Sequence, residues 1–307
     1  MRKAFITTIC ELAQHDQRVM LLTGDLGYLL VEPFANRFPD RFINVGVAEQ
    51  NMIGIATGLA EAGYIPYAYS ITPFAVLRPY EFIRNGPIQH HLKVRIVGSW
   101  SGFEYSHDGY SHYALDDIGV LRVQPGISIF VPADFQQATW IFRKTVDIYG
   151  PVYYRLSKDE TSIIPGLSGG FEIAEAQCIG DGKDVLVISM GSITNQVCQA
   201  IEVLRLCKIA CTLMIIASIH PPPTRSLDKF LPEYHNVVTV EEHYINGGLG
   251  SLVSEYVAEE NLKCKVTRCG VRRLPDGKTG SYNDMLERNN LSSDALVQII
   301  TGVVKNP

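Results

Sequence analysis

Arg41-Phe-Ile-Asn-Val-Gly-Val-Ala-Glu-Gln-Asn-Met52, continued by Ile53-Gly-Ile-Ala-Thr-Gly-Leu-Ala-Glu-Ala-Gly63, holds the change of period that decides the fold. Residues 42–45 are apolar and extended in character and run into Gly46. From residue 50 to 62 the apolar residues recur at helical spacing. Strand, glycine turn and helix thus follow without a gap. Glu49 stands where the helix starts. A carboxylate in a first turn is favoured by the helix dipole, so taken alone it reads as a simple cap.

The same alternation continues outward. Residues 19–23, 66–70, 94–98, 128–131 and 152–156 read as strands, and 4–14, 74–91, 114–122 and 135–149 as helices. Strand then helix, repeated, predicts an α/β fold with a mainly parallel sheet flanked by helices. Functional loops in such a sheet gather outside the carboxyl ends of its strands. Residues 24–32, 46–50, 71–74 and 99–112 are those loops. Gly, Ser and Pro then accumulate, as in Pro165-Gly-Leu-Ser-Gly-Gly170, before a second α/β series. That series has strands at 185–190, 211–217, 237–240 and 265–269, and helices at 194–207, 249–259, 281–288 and 294–304. The expected organisation is a first domain over 1–165, a linker over 166–180 and a second domain over 181–307.

Bulk composition removes several function classes. With 46% hydrophobic and 19% charged residues in 307, two cores are feasible and disorder is not expected. A net charge of −5 without a basic run argues against nucleic acid and against an acidic membrane surface. No apolar run reaches membrane-spanning length, and Glu11 interrupts the N-terminal stretch before it could serve as a signal peptide. Seven scattered cysteines without a CxxC suit a reducing cytoplasm and neither a disulfide framework nor a zinc site.

Three segments, in order, carry a resemblance to the transketolase family that covers essentially the whole chain. The run Gly46-Val-Ala-Glu-Gln50 is similar to that family's pyrimidine-binding motif. Ile71-Thr-Pro-Phe-Ala-Val-Leu-Arg-Pro-Tyr-Glu-Phe-Ile-Arg84 is similar to its aromatic segment. Asp108-Gly-Tyr-Ser-His112 resembles its substrate loop. The resemblance implies a pyrimidine-binding domain followed by the family's C-terminal domain, with thiamine diphosphate as cofactor. Glu49 would then hold N1′ of the aminopyrimidine and so activate the cofactor, whose thiazolium carbon does the hard chemistry. Phe74 and Tyr80 would pack on the pyrimidine ring, with Leu77 and Arg78 beside them. His112 would assist proton transfer and Asp108 would accept hydroxyls of the substrate.

Departures from the family pattern lie at the substrate end of the loop. Trp100 stands where common transketolases carry a substrate-binding His, His107 replaces a Glu, and Tyr113 replaces a Gln. They imply a modified sugar. Where an Arg often grips the substrate phosphate, this sequence has Lys158, with Arg155 on the preceding strand. Val240-Glu-Glu-His-Tyr-Ile-Asn-Gly-Gly-Leu-Gly-Ser251 matches a family segment whose glycines pack at a dimer interface.

The family's Mg²⁺ motif, G-D-G followed at a set distance by Asn, is not found: Gly180-Asp-Gly182 precedes a second-domain strand and reads as a turn. The diphosphate and Mg²⁺ ligands are therefore expected on an N-terminal transketolase-like subunit, giving a split enzyme, α2β2, acting on a sugar or sugar phosphate. Two other readings stay open. One is the β subunit of a 2-oxoacid dehydrogenase or a deoxyxylulose-phosphate synthase-like enzyme, and the other is a non-catalytic scaffold subunit.

Overall fold

The structure, a computed structural model describing residues 1–305, builds the first half from thirteen α-helices and β-strands, with short helical turns between them. They are α1 (Arg2–His15), β1 (Val19–Thr23), α2 (Glu32–Arg37), β2 (Phe42–Asn44), α3 (Glu49–Glu61), β3 (Ile65–Ile71), α4 (Thr72–Val76), α5 (Tyr80–Ile83), β4 (Arg95–Ser99), α6 (Asp117–Arg122), β5 (Ser128–Phe130), α7 (Phe135–Thr145) and β6 (Val152–Leu156). The second half follows with β7 (Gln177–Ile179), β8 (Val185–Ser189), α8 (Thr194–Leu206), β9 (Cys211–Ile215), β10 (Ser218–His220) and α9 (Thr224–Phe230). It ends with β11 (Asn236–Tyr244), α10 (Leu249–Glu259), β12 (Lys265–Val271), α11 (Tyr282–Arg288) and α12 (Ser293–Lys305).

Two sheets result, and helices flank both. The first orders its seven strands β10-β5-β6-β4-β3-β1-β2, and the second its five as β12-β11-β8-β9-β7. Neighbours are parallel except at one edge of each sheet, where β10 and β7 run antiparallel. Helices on both faces explain why β1, β3, β4, β6 and β8 are buried at every position, the arginines of β4 and β6 included. The α/β fold with mainly parallel sheets is as expected. No helix of the described residues is long and apolar enough to cross a membrane.

Several elements differ from the sequence reading for local reasons. The single helix expected over 74–91 is three pieces: α4, α5 and a wide helical turn over Arg84–Ile88. Pro79 precedes α5 and Pro87 sits in the wide turn; proline offers no N–H and crowds the carbonyl four residues back. The helix expected from residue 114 begins at Asp117, because Ala114 is bridged to Gly102 instead. Strand β7 lies inside the span expected as linker. Strand β10 leaves the second half to close the edge of the first sheet against β5.

Candidate active site

Gly46, at φ +74°, turns the chain out of β2, and α3 then begins with Glu49. This places the Glu49 side chain, only 1% exposed, over the carboxyl ends of the central strands. Its Oε2 accepts a bond from Arg78 Nη1 at 2.6 Å, and Oε1 accepts one from Ser70 Oγ, near the end of β3, at 3.3 Å. Backbone closes on the other side: a Cβ at Gly24 would stand 3.5 Å from Oε1. The Arg78 guanidinium, with its side chain 40% exposed, lies 4.2 Å over the Phe74 ring. Arg78 thus spans from the buried carboxylate to an aromatic face at the mouth.

A row of rings leads away from that mouth. Phe74 meets the edge of His112 at 5.1 Å and 73°, His112 meets Tyr105 at 5.3 Å, and Tyr105 meets Trp100 at 4.3 Å. Trp100 follows β4 at φ +64°, an unfavourable angle for a bulky residue, held here by Tyr105 and by Arg2 and Lys158 at 4.7 and 5.3 Å from its ring. His112 is half-buried, and its Nδ1 lies 3.0 Å from Ser111 Oγ. Asp108 is exposed beside His107, at 3.8 Å. Glu49, Arg78, Phe74, His112 and Trp100 are therefore linked in one continuous arrangement.

Other candidates sit elsewhere. Tyr80 packs on the first core and its hydroxyl is taken by Gln124 Nε2 at 2.7 Å; among the described residues it makes no bond or ring contact with Glu49, Phe74 or His112. Leu77 is 37% exposed. Lys158 is tied to the Glu104 carbonyl, with Nζ at 3.3 Å. Arg155 is a correction. It is 3% exposed, with Nε on Asp117 at 2.9 Å and Nη2 on the carbonyls of Ala114 and Glu242 at 2.6 and 3.0 Å. A guanidinium so buried and paired holds the fold together and does not face a substrate phosphate. The Gly180–Gly182 triplet lies in irregular backbone between β7 and β8, with Gly180 at φ +84° and the Gly182 carbonyl accepting from Thr212 and Tyr234.

Sequence reasoning missed what holds the loop that carries Asp108 and His112. Glu242 on β11 accepts the Phe103 N–H at 2.5 Å and the Tyr282 hydroxyl at 2.9 Å. Gly102, at φ +57°, presses its backbone against that carboxyl, where an added Cβ would lie 2.2 Å away. Glu104, equally buried, accepts bonds from the Ser157 hydroxyl and the Lys158 N–H. Ser106 Oγ donates to the Gly280 carbonyl at 2.8 Å. The second half thus clamps the loop. The available signal is the Glu241-Glu-His243 run, whose neighbouring glycines draw attention away from its carboxylates.

Burial, then the nearby Glu104 carboxylate, push the Glu242 carboxyl up to about 8, and burial pushes Glu241 up to about 7. A carboxyl raised in the folded state stays protonated where the unfolded chain has released its proton. Folding stability therefore falls as pH climbs from the ordinary value of 4.5 toward about 8. Glu242→Gln keeps an acceptor for the Phe103 N–H without the titration. Its melting temperature is expected to fall less steeply than the wild type's over that window; parallel curves would exclude Glu242 as a source of the slope.

Known proteins resemble this chain in sequence and in fold. Residues 1–162 match the transketolase pyrimidine-binding domain and residues 174–295 the transketolase C-terminal domain. A putative transketolase C-terminal section of Methanocaldococcus jannaschii is 34% identical over 308 residues, covering 99% of this chain and 96% of that one. A subunit of the apulose-4-phosphate transketolase of Actinobacillus succinogenes is 31% identical, over 88% and 86% of the two chains. A solved split-gene transketolase, described as an inactive β4 tetramer, superposes with a TM-score of 0.89 at 33% identity, over 99% and 98% of the two chains. Fold, order of segments and relatives converge: this chain belongs to the transketolase family and spans its pyrimidine-binding and C-terminal domains.

Proposed function

We propose that the chain is the C-terminal subunit of a split, thiamine-diphosphate-dependent transketolase-like enzyme, with its pyrimidine-binding domain over 1–165, a linker over 166–180 and its C-terminal domain over 181–307. It moves a two-carbon ketol unit from a ketose to an aldehyde acceptor. One observation carries this reading: a buried carboxylate, Glu49, at the start of α3, from which a row of rings leads to His112. The donor set fits the aminopyrimidine end of the cofactor, since it offers a carboxylate for a ring nitrogen and an aromatic face beside it. It does not fit the diphosphate end. The chain's G-D-G triplet, Gly180–Gly182, packs against Ala210 and Cys211 at the start of β9 in the second half. Mg²⁺ and the phosphates are assigned to an N-terminal subunit, in an α2β2 assembly. The inactive β4 state of the split-gene relative supports that division of labour.

Thiamine diphosphate, when bound, supplies the carbanion that carries the two-carbon unit. This chain's residues do the rest. Glu49 would share a proton with the pyrimidine nitrogen, its carboxyl retaining acceptor capacity beyond the bonds from Arg78 and Ser70. Phe74 offers its ring as a wall for the pyrimidine, and Leu77 borders the mouth. Tyr80 buttresses the segment through Gln124. His112 moves a proton at a substrate hydroxyl and Asp108 orients the polyol. Trp100 and Lys158 shape the far end, and the name of the apulose-4-phosphate relative supports a phosphorylated, non-standard sugar.

The test combines the purified chain with a diphosphate-binding partner subunit, thiamine diphosphate and Mg²⁺, and supplies either a ketose phosphate or pyruvate. Ketol transfer from the ketose without release of CO₂ is the expected result. Decarboxylation of pyruvate would replace this reading by the 2-oxoacid or deoxyxylulose-phosphate alternative. No turnover with either donor, in a complex that binds the cofactor, would leave the scaffold reading.

A further inference from the structure

The chain carries a net charge of −5, yet four arginines line one cavity of about 470 Å³ in the second half. Arg268 lies on β12, Arg272 and Arg273 follow that edge strand, and Arg288 ends α11. Asn289 and Asn290 complete the wall in the turn toward α12, and among the described residues no acidic side chain lines it. None of the four guanidinium groups has a carboxylate oxygen within 4.0 Å among the described residues. The nearest acids stand back from the cavity: Asp284 closes a capping box with Ser281 and Asp276 accepts the Lys278 N–H, both within electrostatic reach of Arg288. Buried Glu241, held by the Leu249 and Gly250 N–H groups, lies within reach of Arg268.

Two of the arginines are held in place. Arg268, half-buried, donates from Nη1 to the Ile245 carbonyl at 3.1 Å, and Arg272 donates from Nη2 to the Arg268 carbonyl at 2.6 Å. Each keeps N–H groups unspent. Like charges gathered around one concavity, with four guanidinium groups against three carboxylates set behind its walls, are relieved further when an anion enters. A guanidinium fork matches phosphate oxygens two at a time, where lysine would offer only a point charge. The volume lies in the range of small-molecule sites, and Ile299 and Gly270 give it an uncharged patch for the rest of a ligand.

We propose that this cavity binds a small molecule bearing two or more phosphate groups. It lies on elements separate from those around Glu49, and the proposal does not depend on the thiamine reading. The test titrates the full chain, at low salt, with tripolyphosphate, ADP and a sugar bisphosphate, by calorimetry and by thermal shift. Saturable binding of at least one is expected, and the tightest of the three identifies the source as polyphosphate, nucleotide or sugar. The double variant Arg272→Ala/Arg288→Ala is expected to weaken it by roughly tenfold or more, while Glu49→Gln leaves it unchanged. Should the alanine variant fail to fold, Arg272→Lys/Arg288→Lys keeps the charge, removes the forks and is expected to weaken binding severalfold. Sulfate matching every probe, no saturation with any, or full binding by both arginine variants would each overturn the site.

Discussion

Glu49→Gln is expected to lower ketol transfer by the assembled enzyme about 10²–10⁴-fold, the usual worth of a placed proton-transfer group. The amide has nearly the same shape, and its oxygen can still accept from Ser70 Oγ, so α3 and the strands beneath it keep their packing. What is lost is the negative charge that Arg78 meets at 2.6 Å and the proton that a carboxyl can share with a ring nitrogen. The defect therefore belongs in kcat at saturating cofactor, with only a modest drop in melting temperature, because Arg78, 40% exposed, can turn to water. A second readout separates chemistry from binding: cofactor affinity, followed by fluorescence quenching in the assembled pair, is expected to fall far less than turnover. Near-normal kcat in that variant would remove Glu49 from the mechanism and leave it as a first-turn carboxylate held by Arg78.

The sequence reveals those parts of this molecule that repeat, and hides those made by contact between distant segments. Strand β1 and helix α10 fall on the residues their patterns indicate, because each buries one run of apolar side chains against neighbours of the same kind. Strand β10 has three residues, too few to show a period, and its partner β5 lies some way back along the chain. The aromatic segment after β3 looks like one helix since its apolar spacing tolerates prolines that the backbone does not. Within the site, Glu49 is legible from the strand-turn-helix change around it. Arg78 stands out only by its neighbours, and nothing in its spacing indicates the bond to Glu49. Arg155 misleads for a related reason: a charge on a strand near a loop looks available until Asp117 and the Glu242 carbonyl, far from it along the chain, are seen to enclose it. The clamp on the loop is invisible because Glu242 lies 139 positions beyond Phe103, whose N–H it accepts.

Asp117→Asn is expected to destabilise the chain by about 3–5 kcal/mol, the cost of leaving a buried charge without its partner. Asp117 is fully buried, and its Oδ2 accepts both the Tyr153 hydroxyl at 2.6 Å and Arg155 Nε at 2.9 Å. Asparagine can keep one of those bonds but cannot balance the guanidinium. Against a typical total of about 5–15 kcal/mol, that loss is visible directly in a urea titration of the chain. The damage is expected to spread, because Arg155 also reaches the Glu242 carbonyl on β11 and the Ala114 carbonyl at the end of the loop. Hydrogen exchange over 99–113 is therefore expected to speed up more than exchange in α8 or α12. An apolar double variant, Asp117→Leu with Arg155→Met, removes both charges together and is expected to recover part of the lost stability, less what the orphaned Tyr153 hydroxyl costs. If Asp117→Asn instead stays within about 1 kcal/mol of the wild type, the carbonyls of Ala114 and Glu242 alone suffice for Arg155, each such bond to a charged group being worth about 1.5–3 kcal/mol. The Arg155 bond to the Glu242 carbonyl on β11 would then hold without the charge that Asp117 supplies from within the first half.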